Sequence, residues 1–507
     1  MGLNVGQILR QAALRAPART LLVERDDARR EWTAHELERA AHAVASRLRL
    51  AGVRRGDRVG LIGENSAAFV SAFFGIVYVG AAVVPIPSRS TESEIAHRLR
   101  SSKARAILFD EPRRARAEAA ATPLGVSPIA LDEAASGDAP SSPPEECDPS
   151  ETALILYTSG TTGLTKGACI SHAALLSHTA GLVHHVLRFD EGVVALGVLP
   201  LTHSYGLRMV VLAPFYAGGR AVLLPRFSSS RTRAICREEG VTWFPGVPTM
   251  FAALSGDAGE PIPSLEWALS AGAPLPVELA ARASASLGCP VRQGYGLTEA
   301  TFSCIDAPPE PPTPGSVGRP VWGVEIAIAG EDGPHRTPGI TGEVLVRGQN
   351  VMTGYLDDPA ATSEAFHDGW LRTGDIGRLD EAGRLFVIDR EKDLILRGGE
   401  NVYPSEVEDV LHRMPEVGEA AVVGVADAYY GEEVVAVVRV AEGKALALEA
   451  MIAHCESRLS PHKVPRALVR VSEFPLGPSG KILKRELRRM IEAGELAVER
   501  AASARRA

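Results

Sequence analysis

Little in this 507-residue chain points to cysteine chemistry. Its six cysteines, Cys147, Cys169, Cys236, Cys289, Cys304 and Cys455, are scattered without a close pair. No C-x-x-C metal or redox motif exists, and a reduced cytoplasmic compartment is the simplest expectation. Lysine is nearly as scarce. It stands only at 103, 166, 392, 444, 463, 481 and 484, and arginine supplies the rest of the 54 basic residues. The two cations are not interchangeable, so a chain that defaults to arginine has a reason to keep a compact ammonium where it does. A strong net charge is missing too. At −8, the chain has no global attraction for nucleic acid or an anionic membrane. The N-terminus has no signal-peptide core, and Gly2 lacks the following Ser or Thr that myristoylation favours. No uninterrupted apolar run of membrane-spanning length exists. The most apolar window, residues 70–87, is broken by Gly75, Gly80 and Pro85, and reads as a buried helix followed by a buried strand.

What is present fits a globular enzyme of more than one domain. The length exceeds one hydrophobic core. The apolar content of 45% and charged content of 23% are ordinary. Monomer and homodimer both stay open. Residues 33–50 have helical periodicity, with Thr33 as N-cap and Glu36 three residues on. Strands are expected at 57–62, 81–86, 193–199, 221–224, 242–244 and 267–270, alternating with helices such as 67–79. That alternation predicts an α/β architecture with largely parallel strands. Residues 133–152, acidic and rich in Pro and Ser, read as a loop. After about residue 310 short strand-like runs (325–328, 342–347, 385–388) predict a β-rich subdomain. From Lys392 onward, helices at 402–414, 446–459 and 482–493 and strands at 420–425 and 434–440 predict a compact α+β unit.

One segment carries the chemistry. Residues 157–167 read YTSGTTGLTKG after an apolar strand. Glycines let the backbone approach a ligand closely, and hydroxyls, free N–H groups and Lys166 can surround a polyphosphate. The run is not a Walker A loop: Thr165 stands where that pattern requires Gly, and Gly167 where it requires Ser or Thr. Further segments stand out: LPLTHSYG at 199–206, LSAGAPLP at 269–276, RQGYGLTE at 292–299, GWLRTGD at 369–375, RLFVIDREKD at 384–393, RGGENVYP at 397–404 and GPSGKILKR at 477–485. The glycines of 294–296 alone hint at a Rossmann loop, but Glu299 occupies the third Gly position. His184 and His185 have no ligand spacing and read as surface or helix residues.

In order and spacing these motifs resemble the adenylate-forming superfamily, which includes acyl- and aryl-CoA synthetases, peptide-synthetase adenylation domains and luciferases. The likeness runs from about residue 10 to 490. It implies a large N-terminal domain (1–389, with the β-rich subdomain at about 310–389) and a small mobile α+β C-terminal domain (390–507), hinged near Lys392. It also implies a two-step reaction: a carboxylate attacks the α-phosphate of MgATP, pyrophosphate leaves, and a thiol, usually of coenzyme A, displaces AMP.

By that resemblance Thr158, Ser159, Gly160, Thr161, Thr162 and Lys166 hold the β- and γ-phosphates. Ala271, Gly272, Ala273 and Pro274, with Gly294, Tyr295 and Gly296, flank adenine. Thr298 contacts the α-phosphate, and Glu299 holds magnesium, a hard ion suited to oxygen ligands. Asp375 accepts from the ribose hydroxyls beside Arg390. His203 sits by the carboxylate, and Lys481 bridges carboxylate and α-phosphate in the first step. In the second, the tail domain turns and Gly398, Gly399 and Glu400 reach a pantetheine tunnel.

Amino-acid-activating relatives place an Asp after the histidine position; here Ser204 and Tyr205 follow His203, against an amino-acid substrate. Fatty acyl-AMP ligases carry an insertion beyond the hinge that 389–404 lacks, which favours CoA as acceptor. LPLTHSYG looks most like fatty-acid and related acyl-CoA ligases. The acid pocket would draw on 201–207, 243–249, 269–273 and 301–304. These stretches hold no Arg or Lys, with Arg208 just outside, so an aliphatic or aryl monocarboxylate is expected. The implied alternative is a stand-alone enzyme loading an acyl carrier protein. A non-catalytic nucleotide sensor has no need for Lys166, Glu299, Asp375 and Lys481 together. Trp322 departs from the family's usual Pro or Gly, and Leu476-Gly477 from its approach to the lysine.

Overall fold

The computed structural model describes residues 3–26, 28–136, 140–158, 165–256, 259–427, 429–477 and 482–501. Within them the strands assemble into four sheets. The largest runs parallel through Thr20–Arg25, Arg220–Leu223, Val194–Gly197, Trp243–Gly246, Trp267–Ala271 and Val291–Leu297. Its edges are antiparallel: Arg29–Thr33 on one side, Thr301–Ile305 and then Arg319–Pro320 on the other. The second runs parallel through Ser127–Ala130, Ala106–Phe109, Arg58–Ile62, Ala82–Ile86 and Thr152–Thr158. It ends antiparallel with Lys166–Ser171 and Gly354–Tyr355. The alternating pattern of helix and strand therefore does produce an α/β fold of largely parallel sheets.

Helices cover these sheets, so the central parallel strands are largely apolar; all five residues of Ala82–Ile86 are buried. Helix Ala34–Leu50 starts on a complete capping box: Glu36 N donates to Thr33 Oγ1 at 3.2 Å, and Thr33 N to Glu36 Oε2 at 2.8 Å. Helix Ala67–Tyr78 is buried almost along its length and packs on it. The contact is close because Gly75 has no side chain; a Cβ there would lie 2.6 Å from Val44. This helix and the strand after it account for the apolar window at 70–87. Among the described residues no helix is long and apolar enough to cross a membrane.

A third, antiparallel sheet joins Val324–Ile328, Thr341–Gly348, Trp370–Leu379, Leu385–Arg390 and the short Phe366–His367. The fourth, centred on the long pair Val417–Asp427 and Gly431–Val440, carries helices Pro404–Leu411, Leu448–Glu456 and Lys484–Glu492 and has its own core.

Three features differ from sequence expectation. The hairpin Thr20–Arg25 with Arg29–Thr33 has no apolar alternation in its second strand, because that strand is an exposed edge. The acidic stretch at 133–152 is partly helical at its start, since Leu131–Ala135 is a short helix anchored by buried Leu131 and Ala134. Helical segments Leu182–Leu187 and Leu207–Leu212 are wound as π-helix, a rare geometry that gathers at functional sites.

Candidate active site

Thr158 and Lys166 face each other across the antiparallel pair that ends the second sheet. Ser159, Gly160, Thr161 and Thr162, between them, lie outside the described residues. The next strand brings Tyr355 alongside, and the Lys166 ammonium lies 5.2 Å from that ring's centre, within cation–π range. Tyr355 Oη donates to Glu299 Oε1 at 2.9 Å. Burial, reinforced by Glu299, pushes the Tyr355 hydroxyl well above the usual phenol range, so it remains a donor. Lys166, Tyr355 and Glu299 thus form one continuous line from sheet to sheet.

The second cluster grows from two parallel strand ends. Ala271 registers against Gly294, so Ala271, Gly272, Ala273 and Pro274 leave one strand beside Gly294, Tyr295 and Gly296 of the next. Gly296 is required by a close approach: a Cβ there would sit 1.7 Å from the Thr301 carbonyl oxygen. Tyr295 Oη donates to Asp375 Oδ2 at 2.7 Å, and Arg390 Nε lies 3.0 Å from Asp375 Oδ1. Asp375 and Arg390 are cross-strand partners in the third sheet. Only 3% of Asp375 is exposed. Burial works against the Arg390 charge, but Asp375 first, then Tyr295, Asp393 and Glu299, hold its pKa above the ordinary value. Thr298 and His203 line one small cavity with Tyr157, Ser204 and Arg98.

A third cluster is organised by Tyr205. Its hydroxyl donates to the carbonyls of Gly246 (3.1 Å) and Leu269 (2.7 Å), and its ring meets Phe302 edge-on at 5.1 Å. The four stretches expected to form an acid pocket therefore meet at this side chain.

Lys392 lies in the turn Glu391–Asp393, between the third sheet and strand Ile395–Arg397 of the fourth. Gly398 and Gly399, at φ 61° and 86°, make the tight hairpin that leads to Glu400–Val402; two consecutive left-handed residues are a glycine signature. Glu400 pairs with His462 Nδ1 at 2.7 Å. Lys481 lies outside the described residues; Leu476 and Ile482, on either side of it in sequence, bridge each other. The fourth-sheet unit touches the rest through Arg413–Glu278 (3.2 Å) and Ser405 N donating to Asp389 Oδ2 (2.8 Å).

Two participants escaped sequence reasoning. Tyr355 has no motif of its own, and its only signal is a tyrosine after glycine in an otherwise polar GYLDDP run. The buried His178, on helix His172–Gly181, carries no spacing clue. His184 and His185 are exposed, and His185 stacks on Trp322 at 4.1 Å.

Comparison with known proteins gives a consistent result. Residues 9–356 match the model described as AMP-binding enzyme, and residues 406–481 that described as AMP-binding enzyme C-terminal domain. A feruloyl-CoA synthase of Amycolatopsis is 38% identical over 90% of this chain and 93% of its own. The long-chain-fatty-acid–CoA ligase FadD13 of Mycobacterium tuberculosis is 32% identical over 97% and 99%. The crystal structure of ATP-bound MatB from Rhodopseudomonas palustris superposes with a TM-score of 0.91 at 29% identity, covering 97% of this chain and 99% of that one.

Proposed function

This chain belongs to the AMP-binding enzyme family, and from that premise we propose how its residues divide the work of an AMP-forming acyl-CoA synthetase. The enzyme is an ATP-dependent acid–thiol ligase. The acid's carboxylate oxygen attacks the α-phosphorus and pyrophosphate leaves; the CoA sulfur then attacks the acyl carbon and AMP leaves. Carboxylate and triphosphate repel each other, so donors and cations must gather them before reaction.

The observation that carries the assignment is the pair of linked clusters: Lys166–Tyr355–Glu299 on one side, Tyr295–Asp375–Arg390 on the other. In our reading, Thr158 and Lys166, with Ser159, Gly160, Thr161 and Thr162, take the terminal phosphates. Glu299 supplies a carboxylate to the magnesium that arrives with the triphosphate. Such an ion would be held by one carboxylate together with substrate phosphates. Asp375, fixed by Arg390 and Tyr295, presents its carboxylate to the ribose, while Tyr295 and residues 271–274 flank the base. Thr298 serves the α-phosphate and His203 the acid. Lys481 completes the first step. The domain boundary lies near Lys392, and rotation there exchanges Lys481 for the Gly398–Gly399–Glu400 hairpin, driven by loss of pyrophosphate contacts.

CoA is the acceptor in this reading, and the acid is aliphatic or aryl. A feruloyl-CoA synthase and a long-chain-fatty-acid–CoA ligase among the relatives support both points. Pyrophosphate release across a carboxylic-acid panel, with CoA, with a phosphopantetheinyl carrier protein and with neither, tests the proposal. Acid-dependent AMP formation and a CoA thioester are expected. Thioester formation only on the carrier protein replaces the acceptor, and no acid-dependent AMP refutes the activity.

A further inference from the structure

Arg208 is one of the largest fully buried side chains in the described protein, 1% exposed. Its Nη1 donates to the Leu175 carbonyl (3.1 Å) and Thr179 Oγ1 (2.9 Å), both neutral acceptors on helix His172–Gly181. Among the described residues its Nε and Nη2 have no hydrogen-bond partner. Burial pulls its pKa down, and no carboxylate of the described residues offsets that. A guanidinium keeps its charge near neutral pH. A buried cation without a counter-charge is costly, and it is tolerated where something else supplies the missing acceptor.

The surroundings point to one place. Arg208 stands three residues beyond Tyr205 and five beyond His203 in the same helical segment, inside the π-wound turn Leu207–Leu212. The neighbouring helix brings His178, fully buried, whose Nδ1 lies 3.1 Å from Thr301 Oγ1 and whose ring also meets the Phe302 backbone. Thr301 holds φ 39°, a conformation that β-branched residues avoid. Next to it Phe302 packs on Tyr205. A guanidinium with two unpartnered nitrogens, a strained residue and a π-turn therefore sit together beside Tyr205 and Phe302, residues of the wall expected to line the acid pocket.

We propose that Arg208, with His178 held by Thr301, forms a docking point for an oxygen acceptor at the far end of the substrate acid, a phenol oxygen or a second carboxylate. This rests on the ligase activity proposed above. It replaces the expectation of a plain monocarboxylate with that of a substrate bearing a remote oxygen. The role is one of specificity: a site with buried donors rejects the analogue that leaves them unpaired far more strongly than it rejects a missing methylene.

The test compares acids that differ only in their remote substituent: cinnamic, 4-hydroxycinnamic and 4-carboxycinnamic acids, and hexanoic, 6-hydroxyhexanoic and adipic acids. The readout is kcat and KM for pyrophosphate release by the full chain. In the series the enzyme accepts, an oxygenated acid is expected to exceed its parent in kcat/KM by about tenfold or more. The hydroxyl and carboxylate arms identify which acceptor is used. Arg208→Met is expected to bring the ratio to within about twofold of unity, mainly through the KM of the oxygenated acid, and Arg208→Lys to lie between. Parity between parent and oxygenated acids in the wild type overturns the proposal even if the variants fail to fold. So does undiminished discrimination in Arg208→Met, or turnover of other acids with none from either series. Absence of AMP formation with every acid defeats the ligase activity itself.

Discussion

The two ends of the cleft proposed above handle charge in opposite ways. At the nucleotide end each carboxylate already has a donor: Asp375 is held by Tyr295 and Arg390, and Glu299 by Tyr355. At the acid end the guanidinium of Arg208 finds, among the described residues, only a carbonyl and a hydroxyl, and two of its nitrogens are left over. A paired group holds its position before any ligand arrives, which suits a substrate fragment common to the whole family. An unpaired one waits for a ligand to complete it, which suits the fragment that varies. The contrast can be broken at either end, and the expected effects decrease in the order that follows.

The largest concerns Lys481, the cation that the proposal assigns to the first step. Lys481→Ala is expected to slow ATP–pyrophosphate exchange by about 10²–10³-fold, the loss typical of one transition-state donor, while thioester formation from supplied acyl-adenylate survives. Unchanged exchange with a blocked second step would reverse the assignment of roles.

Next comes the wall helix behind the acid end. His172, which opens it, is fully buried and accepts a hydrogen bond from Val5 N at 3.1 Å; burial lowers its pKa from 6.5 to about 4. The unfolded chain takes up this proton at higher pH than the folded one. Stability is therefore complete above pH 6.5 and falls with pH, by about 3 kcal/mol on reaching pH 4. His172→Asn should flatten that slope in urea unfolding measured between pH 7 and 4. A variant as acid-sensitive as the wild type would show that this helix is not built around neutral histidine.

Much of this arrangement was legible beforehand, and what escaped did so for physical reasons. Glycine, hydroxyl and lysine runs keep their order whatever the fold does with them, so the strand-end segments around Ala271 and Tyr295 and the Asp375 turn could be picked out as one group, while residues 159–164 lie outside the described residues. Helix Ala34–Leu50 announced itself through Thr33 and Glu36 because capping is local. Tyr355 could not be seen, since its value comes from a strand pairing with Lys166–Ser171 almost two hundred residues earlier. Arg208 looked like a marginal cation near a pocket. Only burial, and the want of a carboxylate partner among the described residues, turns it into a question about the substrate.

A direct comparison of the two ends uses a matched pair without substrate. Asp375→Asn keeps an acceptor for Tyr295 but strands the Arg390 charge; because Arg390 is half exposed, the expected loss is about 1–2 kcal/mol. Arg208→Met removes an uncompensated buried charge and should be neutral or stabilising by a similar amount. Thermal midpoints moving apart in these directions support the contrast. Both variants destabilised equally would mean that Arg208 is as well satisfied as Asp375, and the division between the two ends would disappear.

The smallest effect tests how far the nucleotide end is set in advance. Tyr355→Phe keeps the ring beside Lys166 and removes only the hydroxyl that fixes Glu299. A hydrogen bond to a charged group contributes about 1.5–3 kcal/mol; at this part-buried site water can take the place of the lost hydroxyl, so only part of that is lost and KM for MgATP should rise roughly threefold to tenfold with kcat less affected. Tyr355→Leu also removes the cation–π contact and should go further, by about another 0.5–1 kcal/mol. If the Phe variant matches the wild type in both constants, Glu299 is positioned by its strand alone. The line from Lys166 through Tyr355 would then be a packing contact, and the order found at the nucleotide end would rest on Asp375, Tyr295 and Arg390.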